Sequence, residues 1–157
     1  MEEVVNYLIK NNKTISVMES CTGGSVANSI TNVPGASSIF FFGAVTYSNE
    51  YKIKLGVNKE LIDKYTVYST EVAKDMAKVI SNYTNTHYGI GVTGKLNKPD
   101  PKNPYGDDNT VYISIYDKDN DKYYPKTIIL KHENRIDNKN QIINEIKEIL
   151  LKILNNK

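Results

Sequence analysis

The sequence predicts a three-layer α/β/α domain built on a mixed β-sheet. Three observations lead there. Helical and strand-like periods alternate along the chain, glycine-rich turns follow the strand-like runs, and two strand-like runs near the C-terminus flank a short polar turn. A length of 157 residues suits one domain, residues 1–157, with a core of its own. Hydrophobic residues make up 39% and charged residues 24%, the balance of a globular chain rather than a disordered one. No apolar stretch approaches the roughly 20 residues that cross a bilayer, so no membrane partner is expected. A formal charge of +2 is too near neutral for a general nucleic-acid footprint. The single cysteine, Cys21, cannot form an internal disulfide, which fits a reducing cytoplasm.

Each element has its own signal. Val4, Val5, Leu8 and Ile9 fall at helical spacing, so residues 2–11 read as a helix; the acidic, amphipathic start MEEVVNYLIKNN is not a signal peptide. TISVME reads as a short strand. Val26, Ala27, Ile30 and Val33 give a helix that Gly23-Gly24 allow to start tightly and Pro34-Gly35 stop. SIFFFGAVTYS is apolar and β-rich and reads as a buried strand. Residues 50–55 and 59–65 read as short helices. Ser69 followed by Val72, Met76, Ala77, Val79 and Ile80 reads as a capped amphipathic helix. HYGIGVTG is a further buried strand. TVYISIYD and YYPKTIIL flank a DKDND turn as a hairpin, with Pro125 suited to an edge. Ile142, Ile143, Ile146, Ile149, Leu150, Ile153 and Leu154 define a long last helix. In such sheets sites lie beyond the strand carboxyl ends, where SCTGG, TYSNE and VTG fall.

These segments concentrate hydroxyls and backbone freedom. SCTGG offers Ser20, Thr22 and two glycines whose N–H groups can face a ligand. VPGASS adds Ser37 and Ser38 in a turn. TYSNEYK supplies Tyr47, Ser48, Asn49 and Lys52, and VTG supplies Thr93 and Gly94. Small residues at strand-to-helix turns have a purely structural use as well. A serine with a lysine can replace a Ser-His-Asp triad, because a desolvated lysine loses its proton and serves as general base.

The run ESCTGGSVANSITNVPGASSIFFFGAVTYSNEYKIKLGV resembles the hallmark segment of the CinA C-terminal domain family. The likeness continues through STEVAKDMA, GIGVTG and TVYISI into the last helix. That family is associated with nicotinamide mononucleotide (NMN) deamidase and with competence/damage-inducible proteins. The resemblance implies a CinA C-terminal-like fold and a Ser/Lys amidohydrolase that converts NMN to nicotinic acid mononucleotide and ammonia. Carried over by motif, the catalytic set is Ser37 or Ser20 as nucleophile, Ser37 preferred, with Lys52 and Tyr47. The substrate-binding set is Thr22, Gly23, Gly24, Thr93, Gly94 and Arg135. A small-molecule nucleotide substrate and a homo-oligomer are the expected partners. No cofactor is expected, and no cluster has metal-ligand spacing, so the reaction should be metal-independent.

One segment departs from the family pattern. Where a glycine-rich loop usually follows VTG, this chain has KLNKPDPKNPYGDDN, residues 95–109, with glycine only at 106. Lys95, Lys98 and Lys102 offer phosphate charge there, or the loop is simply solvated. The departure keeps two alternatives open: a nucleotide- or protein-binding domain without catalysis, and an amidohydrolase acting on another amide. Arg135 is the one arginine among 20 basic residues and precedes the last helix, where its planar fork suits a phosphate or carboxylate. Cys21 with His87 or His132 is a rival nucleophile, though no local motif joins them.

Overall fold

A computed structural model of the chain describes residues 1–156. Alternation of short β-rich runs with amphipathic segments yields α1 (Glu2–Lys10), β1 (Ile15–Glu19), α2 (Ser25–Thr31), a 3-10 turn (Ala36–Ser38) and β2 (Phe40–Val45). There follow α3 (Asn49–Lys54), α4 (Lys59–Tyr65), α5 (Thr70–Thr84), β3 (Tyr88–Gly94), β4 (Thr110–Asp117), β5 (Lys122–Ile129) and α6 (Arg135–Asn155). The five strands form one mixed sheet in the order β2-β1-β3-β4-β5. Strands β2, β1 and β3 run parallel; β4 and β5 are antiparallel.

Helices cover both faces. Ile15 and Val17 of β1 and Ile90 and Val92 of β3 pack with α1, α2 and α6 through Val4, Leu8, Val26, Ile30, Ile142 and Ile146. On the other face Met18 packs with Val72, Met76 and Ile80 of α5. The glycines of YGIGVTG explain how closely α5 lies. A Cβ at Gly89 would sit 2.0 Å from Ala77 O, and one at Gly91 would sit 2.2 Å from Ala73 O. Any side chain there would lift the helix off the sheet. Ser69 caps α5 as its position predicts, accepting from Val72 N at 3.3 Å.

The two edges differ. β5 carries Pro125 and Lys126, which guard an edge against further pairing, and Pro125 takes the edge position the sequence implies. SIFFFGAVTYS, expected to be buried, is instead the opposite edge. Phe41 is 65% and Val45 51% exposed, and the Phe42 ring meets Tyr83 at a centroid separation of 5.6 Å. A shift in register against Ile15 and Val17 bulges the strand between Phe40 and Gly43. High hydropathy made an edge strand look like a central one.

From β1 the chain passes to β2 on one side, and it later returns to β3 on the other. β1 is therefore the switch strand, and a crevice opens beyond its carboxyl end. Ser20 is the first residue there. Among the described residues no helix is long and apolar enough to cross a membrane.

Candidate active site

Beyond the ends of β1, β2 and β3 lies a cavity of about 460 Å³, within the range of small-molecule sites. Ser20, Tyr47, Gly94 and Arg135 line it, and residues 98–103 form one wall. The helix α3 sets its chemistry. Ser48 caps α3, its hydroxyl accepting from Tyr51 N, and the turn that follows aims Lys52 inward. Lys52 is 1% exposed and, among the described residues, has no carboxylate within ion-pair distance. Its Nζ donates to Ser20 Oγ at 3.0 Å and to Thr46 O at 2.7 Å.

A buried ammonium with no ion-pair partner holds its proton weakly. Burial pushes Lys52 down from 10.5 to about 8, with Cys21 and Asp100 opposing. Burial also pushes the Cys21 thiol up to about 12, against the pull of Lys52. That thiol stays neutral where Lys52 titrates, which leaves Asp100 as the opposing anion. Cys21 lines the cavity, but its buried thiol holds its proton and so makes a poor nucleophile, and neither His87 nor His132 lines the cavity beside it. His87 instead bonds Thr14 at the start of β1, the far end of the sheet.

The other sequence-derived candidates separate. Ser37 lies in the 3-10 turn before β2, and Phe40 at the head of β2 pairs with Ile15 at the head of β1. Ser37 is therefore at the amino end of the strands, the full length of β1 away from Lys52. The preference for Ser37 over Ser20 is reversed by this placement: the fold brings Ser20 to the lysine. Gly23 and Gly24 have φ of +61° and +96°, which only glycine adopts readily. Their N–H groups are already used, Gly23 N on Ser20 O and Gly24 N on Glu19. The expected role of these amides in facing a ligand does not fit. Thr22 is fully buried with its hydroxyl unpartnered, and it does not line the cavity. Thr93 donates to Val67 O at 2.9 Å, tying β3 to the loop before α5. Gly94 does line the cavity, and a Cβ there would meet Thr110 O at 2.6 Å.

Arg135, the first residue of α6, reaches across the cavity mouth. Its Nη1 donates to Leu96 O at 3.2 Å, and its Nη2 stands 3.5 Å from the Tyr47 hydroxyl. The sequence reading missed three further groups. Glu19 is fully buried, and its carboxylate accepts from the N–H groups of Gly24 (3.1 Å), Val26 (3.0 Å) and Ala27 (2.8 Å). It occupies the start of α2 and so fixes the SCTGG turn that presents Ser20. The signal was there: a charged residue ends a short, mostly apolar strand just before a glycine-started helix. Tyr68 and Asp100 were missed because only the fold brings them together, 2.6 Å apart. Among the described residues no three His, Cys, Asp or Glu side chains are grouped to hold a metal.

Comparison with known proteins agrees with this architecture. A competence-damage inducible protein of Clostridium botulinum is 53% identical over 96 residues, 60% of this chain and 24% of that protein. One from Clostridium kluyveri is 47% identical over 120 residues, 75% of this chain and 29% of that protein. The chain thus spans about a quarter of the length of these curated relatives. A CinA superfamily protein from Klebsiella pneumoniae superposes with a TM-score of 0.88 at 20% identity, covering 99% of this chain and 96% of that one. A competence/damage-inducible protein from Agrobacterium tumefaciens gives 0.83 at 24% identity, covering 98% and 94%. At these identities the superpositions speak for the fold. The CinA C-terminal domain model matches residues 1–154, and the chain belongs to that family.

Proposed function

We propose that the chain is an amidohydrolase in which Ser20 and Lys52 form a catalytic pair, acting on the carboxamide of NMN. The observation that carries this reading is the 3.0 Å contact between a serine at the cavity floor and a buried lysine whose proton is held weakly. Neutral Lys52 takes the Ser20 proton as Oγ attacks the carboxamide carbon. The same nitrogen returns the proton to the departing amine, so ammonia leaves and a Ser20 ester remains. Water, deprotonated by Lys52, then hydrolyses that ester to nicotinic acid mononucleotide. Tyr47 and Arg135, which line the cavity, supply donors for the developing oxyanion and the phosphate.

Incubating purified protein with millimolar NMN in the presence of a chelator tests the reading. Ammonia should appear above the no-enzyme blank. No turnover by folded protein favours a binding domain without catalysis. Lys98 and Lys102 on the cavity wall, where the family pattern has glycines, favour one further reading: the same chemistry on another anionic amide. A thermal-shift panel of nucleotides and amides separates these two.

We also propose a cytoplasmic homo-oligomer with no nucleic-acid partner. The lone free cysteine supports the compartment, and the uncharged β2 edge with exposed Phe41 and Val45 supports self-association. Light scattering should report more than one copy, and Phe41→Glu should lower the mass.

A further inference from the structure

Residues 95–109 contain no helix or strand, and a loop that long in a compact fold is usually either functional or loose. This one is tied at its base and at its tip. At the base, buried Lys95 pairs with Asp108 at 3.0 Å and donates to Gly106 O at 3.2 Å, while Asn97 N donates to Asp108 O at 2.7 Å. At the tip, the Asp100 carboxylate accepts three hydrogen bonds, from Tyr68 OH (2.6 Å), Asn103 Nδ2 (2.7 Å) and Lys102 N (3.0 Å). Asn103 Oδ1 in turn accepts from Asn49 Nδ2 at 2.7 Å. Asn49 opens α3, the helix that carries Lys52. Pro99 and Pro101 flank Asp100 and restrict the backbone on both sides of it.

We propose that Asp100 is the positioning residue of the pocket: it pins residues 98–103 as the wall over Ser20 and, through Asn103 and Asn49, fixes that wall relative to the helix bearing Lys52. Lys98 and Lys102 ride on the pinned segment and line the cavity, so the same bonds set where those cations meet an anionic substrate. The charges on the two sides of the contact agree with this role. Hydrogen bonds from Tyr68 and Asn103 hold Asp100 below the ordinary carboxylate range. Burial and the Asp100 contact push the Tyr68 phenol up, so it stays a donor.

The kinetic readout rests on the amidohydrolase reading; the structural readout does not. Asp100→Ala should raise KM for NMN by about tenfold, with a smaller fall in kcat, because the wall contacts substrate in ground and transition states alike. Asp100→Asn keeps one acceptor and should fall between wild type and Asp100→Ala. Tyr68→Phe should raise KM alone, yet add nothing in the Asp100→Ala background, since the Tyr68 hydroxyl acts through its bond to Asp100. A group that only supports the fold would lower Tm without this split. If the wild type releases no ammonia from NMN, the activity reading fails by itself, and the pinning is read by hydrogen exchange. Exchange over residues 98–103 should be faster in Tyr68→Phe and in Asp100→Ala. Unchanged KM in folded variants, additive effects in the double variant, or unchanged exchange over 98–103 would overturn the proposal.

Discussion

Lys52 and Ser20, 32 residues apart in sequence, meet at 3.0 Å beyond the carboxyl end of the switch strand. Two local devices produce the meeting. Ser48 starts a short helix whose first turn turns Lys52 inward, and Glu19 anchors the amides of the α2 start so that the SCTGG turn cannot drift. Burial then weakens the lysine's hold on its proton. Position and proton affinity come from the same packing.

The activity should follow that proton. Only neutral Lys52 accepts the Ser20 proton, so kcat/KM should rise with pH and level off above about 8. A profile flat from pH 6 to 9 in an active enzyme would remove Lys52 as the base.

Stability should follow it too. The folded pKa lies near 8 against an ordinary 10.5, so between these values the unfolded chain binds more protons and stability rises with pH. Lys52→Met lacks this dependence. The wild type should therefore gain on the variant by up to about 3 kcal/mol over that window and show a constant difference below it. Urea titrations of both proteins at pH 7 and pH 10 measure it. A difference independent of pH would mean that the lysine is not desolvated.

Glu19→Ala strips three amides of their acceptor and should cost about 3 kcal/mol. For a chain of this size that is a Tm loss of roughly 6–12 °C. Glu19→Gln keeps one acceptor and should lose less. A Glu19→Ala protein with wild-type Tm would show that the α2 amides find other partners.

Arg135→Lys keeps the charge but loses the planar fork that spans Leu96 O and the Tyr47 side. KM for NMN should rise about tenfold, the effect of losing one charge-assisted bond. KM for nicotinamide riboside, which has no phosphate, should change little. Equal effects on both substrates would assign Arg135 to the scaffold rather than to the phosphate.

Much of this was legible in the sequence, and the exceptions have physical causes. The Ser69 cap and the Pro125 edge are local, and local signals are readable. The choice between Ser20 and Ser37 was also available. In a parallel pair a residue that follows β1 and one that precedes β2 stand at opposite ends, so only the first shares the crevice with TYSNE. The exposure of Phe41 was not readable, because an apolar run has the same composition at an edge as at the centre. The Tyr68–Asp100–Asn103–Asn49 chain was hidden for another reason: its members come from three separate segments, and of the four only Asn49 lies in a motif.

The most direct test of the Ser20–Lys52 pair is mass spectrometry of protein quenched during NMN turnover. An ester adduct should appear on the peptide containing Ser20 and be lost in Ser20→Ala together with ammonia release, while Ser37→Ala retains both. An adduct on Ser37, or full turnover by Ser20→Ala, would contradict it.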